Sequence, residues 1–180
     1  PGYGSPMPSP LLAPWTGPYG GVPAFDKVTD NPVHASHRPV FRGRPSVILV
    51  DGWCLGATAQ TDEDLASPIN ALEAELDKDA VWRKEVNANL AGAYQLTFAR
   101  LDAIVCLQAP SFEIVHAWRC EQEESLLARP LADGDKIRIA TFIQHFERIT
   151  RHMIAGGGRA DIDVQLDEHR NVAEIRHRAG

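Results

Sequence analysis

A mostly parallel, doubly wound α/β fold is what this 180-residue sequence predicts, and two observations predict it. Two short apolar runs, 47–51 and 103–108, are too brief for helices and suit strands buried on both faces. Longer stretches of helical periodicity lie between and after them, and strands alternating with such helices imply parallel pairing.

Ten of the 13 prolines fall within residues 1–45, and the opening Pro1-Gly2-Tyr3-Gly4-Ser5-Pro6 can sustain neither a ladder nor a helix. Residues 1–21 are expected to form a disordered Pro/Gly-rich tail, and 22–180 the folded part. The strand at 47–51 ends in Asp51-Gly52. That places a carboxylate at the carboxyl edge of the sheet, where open α/β folds hold ligands. Residues 62–77 read as loosely helical, with Ser67 and Pro68 at the N-cap and first helical positions. Asp79 is expected to cap a helix running to Arg100, whose Trp82, Val86, Leu90, Tyr94, Phe98 and Leu101 form one apolar stripe. After the strand at 103–108, Ser111 caps a helix to Ala128, and Pro130 and Gly134 mark a loop. A helix over 136–154 carries Ile139, Phe142, Ile143, Phe146, Ile149 and Met153 on one face, and Gly156-Gly157-Gly158 ends it. Ile162, Val164 and Leu166 alternate with polar residues as a half-covered strand, and 172–175 adds a short edge strand.

The net charge of −6 is uneven: residues 1–45 carry four basic and two acidic side chains, which leaves the remainder at −8. An acidic body argues against nucleic-acid binding, which relies on neutralising phosphates. No apolar stretch reaches the roughly 18 residues of a membrane span, and no charged start precedes an apolar core as in a signal peptide. Cys54, Cys106 and Cys120 are an odd number without metal-ligand spacing, so reduced thiols and a cytoplasmic setting are expected. The 180 residues contain no G-x-x-x-x-G-K-[ST], the loop that cradles nucleotide phosphates.

Several runs, in order, carry a family resemblance: Pro23-Ala24-Phe25-Asp26-Lys27, VILVDGWCLGA at 47–57, SPINALEAELD at 67–77, WRKEVNANL at 82–90, LQAPSFEIVHAWRCEQE at 107–123 and FIQHFERITRHM at 142–153. Over about residues 22–176 the chain resembles the D-glycerate 3-kinase family, within the P-loop kinases that include uridine kinase, pantothenate kinase and phosphoribulokinase. The resemblance implies part of a three-layer P-loop kinase fold lacking its N-terminal P-loop strand. It implies transfer of the γ-phosphoryl group of ATP, with Mg²⁺, to a small hydroxy acid such as D-glycerate. The family's phosphate loop lies upstream of the Phe-Asp-Lys run and is not in this sequence, so the chain alone is expected to be inactive. Position 51, commonly Glu in related kinases, is Asp here, shorter by one methylene.

Phosphoryl transfer needs phosphates gripped, Mg²⁺ placed and a hydroxyl aimed in line. Asp51 is the candidate for holding Mg²⁺, through a water, or for accepting the acceptor's proton; the plainer alternative is a cap on the turn into Gly52. By resemblance, Asp26 and Lys27 belong near the acceptor or the transferred phosphate, against the ordinary reading of a solvated loop pair. Arg119 is the candidate for charge stabilisation, as in the arginine-bearing lid of related kinases. An i,i+4 pair with Glu123 competes with that role. Arg83 and Asn87 share one helical face and are candidates for the substrate carboxylate and hydroxyls, against a solvated face. Trp53 walls the acceptor pocket or joins the core. His145 and His152, two turns apart, are too distant for one metal ion.

In the fold so resembled, the phosphate-loop strand lies between the strands at 47–51 and 103–108. Without it, three outcomes are open: the two strands pair directly, a strand is borrowed from a partner chain or by self-association, or the chain stays loose. The functional alternatives are a glycerate-type kinase in truncated form, a non-catalytic kinase-derived binding module, and a split enzyme that receives its phosphate loop from another subunit.

Overall fold

The computed structural model describes residues 19–22, 24–26, 31–43 and 45–178. The chain divides into two compact units, Pro1–Gly52 and Trp53–Gly180. In the first unit, β1 (Tyr19–Gly21) pairs antiparallel with β4 (Val40–Arg42), and β2 (Phe25–Asp26) pairs antiparallel with β3 (Asn31–Pro32). A single 3-10 turn at Ala35–His37 follows β3, and the His34 ring accepts from Ser36 N–H at its start. Of the expected tail, 1–18 lies outside the described residues, whereas 19–21 forms β1.

Residues 47–51 form no strand, contrary to the expectation of a ribbon buried on both faces. Val47, Ile48 and Leu49 are 73%, 53% and 91% exposed. A strand exists only where a neighbour answers its backbone groups, and no described strand pairs with this segment.

The second unit holds a three-stranded mixed sheet in the order β5 (Val105–Gln108), β6 (Ile162–Leu166), β7 (Val172–His177). β5 and β6 are parallel, and β6 and β7 are an antiparallel hairpin. The fold is therefore mixed α/β, with one parallel pair among the described residues rather than a doubly wound parallel sheet. β5 is covered on one face only: Val105 and Leu107 are exposed, and Cys106 and Gln108 are half-buried. In β6 the fully buried residue is a polar one, Asp163, paired with Arg178.

The second unit also holds five helices: α1 (Ala71–Leu76), α2 (Val81–Ala91), α3 (Ala93–Phe98), α4 (Glu113–Leu127) and α5 (Asp133–Ile154). The expected long helix over 79–100 breaks at Gly92, whose φ of −109° and ψ of −98° are not helical. The break redirects the apolar stripe. Leu90 and Phe98 are buried, while Trp82, Val86 and Tyr94 stay exposed. The N-cap position of α2 is Ala80 rather than Asp79, and the first-turn N–H groups of Trp82 and Arg83 donate instead to the Asp77 carboxylate at 2.8 and 3.2 Å. α1 is capped by Asn70, not Ser67, through Glu73 N–H at 3.0 Å. α5 starts three residues before the expected point, where Asp135 accepts from Ala132 N–H.

Phe98, Ile104 and Ala160 form the core cluster, with Leu55, Leu101 and Cys106 packed on it. The segment after Gly52 reaches this core through Gly56. Its φ of +83° suits glycine, and its carbonyl accepts from Arg159 N–H at 2.7 Å. A β-carbon there would overlap the carbonyl oxygen of Arg159. Gly56→Ala is expected to cost at least ~1–3 kcal/mol from the backbone conformation alone. Urea unfolding followed by circular dichroism measures it, and a variant as stable as the parent contradicts the account.

Candidate functional site

The segment 57–67 is irregular and anchored at two buried residues, Ala57 and Leu65, 0% and 1% exposed, with exposed residues at 61–64 and 66–67. The Leu65 carbonyl, taken out of water, needs a partner, and two buried arginines tie this stretch down. Arg83 donates from Nε to Leu65 O at 2.8 Å and from Nη2 to Ala66 O at 3.5 Å. Arg148 donates from Nη1 to Asp64 O and from Nη2 to Ser67 O, both at 2.8 Å. Four consecutive carbonyls, 64 to 67, are thus held by two guanidinium groups. Each charge is balanced in turn. Arg83 pairs with Asp77 at 3.2 Å and also donates to Asp77 O at 2.6 Å. Arg148 forks onto both Glu73 carboxylate oxygens at 2.7 and 2.6 Å.

Weaker braces extend the same pattern. Asn87 and the Gln60 backbone exchange two hydrogen bonds, at 2.7 and 3.0 Å. Gln95 donates to Ala57 O at 2.9 Å. Thr58 donates to Gly157 O at 2.9 Å and lies 3.1 Å from His152 Nε2. Trp53 stands at the entrance, its indole N–H on Thr150 Oγ1 at 2.8 Å and its ring edge-on to Phe146 at 4.9 Å.

Burial pushes the Glu73 carboxyl up. The hydrogen bonds from Arg148 and Ile69 N–H, with the charges of Arg148 and Arg83, outweigh that and hold it below the usual carboxylate range. Asp77 is lowered in the same way: burial opposes, and the N–H groups of Trp82 and Arg83 with the Arg83 charge prevail.

The sequence-derived candidates separate. Arg83 and Asn87 do share one face of α2, and that face points inward onto 60–66, so they position a loop rather than stand free for a ligand. Arg119, half-buried on α4, is paired with Glu123 at 2.6 Å and Gln122 at 2.5 Å, the i,i+4 alternative weighed for it. It borders two open cavities. One, of about 520 Å³, is lined by Val115, Trp118, Gln122 and Arg170; the other, of about 280 Å³, by Leu131, Arg138 and Phe142. Asp26 ends β2 opposite Asn31, and Lys27 lies outside the described residues. Asp51 is exposed at the end of the irregular segment 47–50, not at the edge of a sheet. His145 lies on Phe142 O and His152 on Thr58, so they share no ligand. Among the described residues no three His, Cys, Asp or Glu side chains cluster as a metal site, and no helix is long and apolar enough to cross a membrane.

Sequence reasoning missed Arg148 and Glu73. One signal was present: Asn70-x-x-Glu73 has the spacing of a capping box, and its glutamate does reach back, to Ile69 N–H at 3.0 Å. Nothing local marks Arg148, which lies between Phe146 and Ile149 on α5.

No protein-family model matches the chain, and no curated protein matches its sequence. Solved structures do. D-glycerate 3-kinase from Cryptococcus neoformans var. grubii superimposes on 88% of the chain with a TM-score of 0.65 at 16% identity. The YGR205w protein superimposes on 92% with a TM-score of 0.60 at 15% identity. The chain spans 60% of the length of each. The fold is thus that of these proteins, in agreement with the resemblance carried by the motifs.

The arginine clamp has a pH signature. Folded-state values of Glu73 and Asp77 lie below their unfolded values, so their stabilisation is complete above the unfolded carboxylate range near pH ~4. It is lost as pH falls through the depressed folded values. Arg148→Met is expected to cost about 3–5 kcal/mol at neutral pH by stranding a buried carboxylate. It should also flatten the loss of stability on acidification. Urea melts between neutral and acid pH read both effects; an unchanged acid limb contradicts the pairing.

Proposed function

We propose that this chain carries the acceptor-side portion of an ATP-dependent phosphotransferase acting on a small hydroxy acid such as D-glycerate. The observation that carries the reading is the fold match to a D-glycerate 3-kinase over 88% of the chain. The motif runs from Phe25 to Met153 support it. The partial three-layer kinase architecture without its phosphate-loop strand belongs to the same proposal.

Asp51 is the proposed chemical centre. An exposed carboxylate suits Mg²⁺, which keeps most of its waters and takes one or two carboxylates beside the substrate phosphates. Bound there through a water, the ion would neutralise phosphate charge. Asp51 is equally placed to accept the proton of an acceptor hydroxyl. Asp26 and Lys27 are proposed on the substrate side, Lys27 as a point charge for an anion. Arg119 is proposed for charge stabilisation, and it would exchange Glu123 for a phosphate to do so. Arg83 and Asn87 serve as positioning residues for 60–66.

The phosphate grip must come from outside these 180 residues, because they hold no G-x-x-x-x-G-K-[ST]. A kinase-derived binding module without catalysis is the second reading, and the Arg119 guanidinium already held by Glu123 favours it. Calorimetry separates the two. The chain is expected to bind D-glycerate and to bind Mg-ATP no tighter than millimolar, with no ADP formed. Asp51→Asn, at an exposed position, is expected to weaken D-glycerate about tenfold, the loss of one hydrogen bond to a charged group. Micromolar Mg-ATP binding overturns the account of the phosphate grip. Failure to bind any small hydroxy acid overturns the acceptor reading in favour of the module.

A further inference from the structure

We draw no further inference here: the strongest candidate, the open cavity of about 520 Å³ between α4 and the β6–β7 turn, is lined by Arg119 and so belongs to the site already described, and its Arg119 and Arg170 guanidinium groups are already held by Glu123 and Glu121.

Discussion

Two guanidinium groups on four successive carbonyls are the constraint on which the second unit depends. The segment 57–67 has neither helix nor ladder to satisfy its backbone, yet Leu65 is buried almost completely. The buried Leu65 carbonyl, left unanswered, would cost on the order of 1–3 kcal/mol. Arg83 and Arg148 approach from α2 and α5 and answer the carbonyls of residues 64 to 67. Arginine suits the task because its planar fork presents several donors at once in fixed directions. Lysine would offer a single point and leave neighbouring carbonyls without a donor.

Burying two cations creates a second requirement, which α1 and its C-terminal turn meet. Glu73 and Asp77 lie one helical turn apart, and each neutralises one arginine while capping backbone N–H groups. The carboxylates therefore work twice, as counter-ions and as caps. This accounts for a helix of only six residues persisting at α1, a length that isolated helices do not sustain. Within the second unit, the chain from Gly56 onward is pinned to Gly157 and Arg159, then to Asn87, then to the arginines.

Much of this architecture was legible, but its interior polarity was not. The strands β5, β6 and β7 and the helices α2, α4 and α5 stand close to where periodicity placed them, because an apolar stripe or an alternating run reports a buried face directly. The α2–α3 region shows the limit. The run from Trp82 through Leu101 reads as one stripe only if the helix stays straight. Gly92 breaks it, and the face that turns inward carries Arg83 and Asn87 beside Leu90. A buried arginine is visible in a sequence only through its partners. Those of Arg83 are Asp77, six residues away, and backbone carbonyls 17 and 18 residues away, and Arg148 reaches Glu73 across 75 residues. The candidate site was read unevenly for the same reason. Asp51 was singled out for its place after an apolar run expected to be a strand, and that run forms none, whereas Arg83, Asn87 and Arg119 had two uses each that only geometry separates.

The segment 47–51 shows why composition alone does not make a strand. Val-Ile-Leu-Val has high strand propensity, but that propensity measures fit to a pleated, half-buried surface rather than an intrinsic backbone state. The same reasoning applies to β5, which keeps its strand form because β6 pairs with one side of it. An extended backbone with a partner on one side is a strand, and the same backbone with none is an exposed apolar tether. The difference between the two runs therefore lies in their neighbours and not in their residues. Asp51 therefore ends an unpaired segment, with no described strand beside it, rather than the carboxyl edge of a sheet.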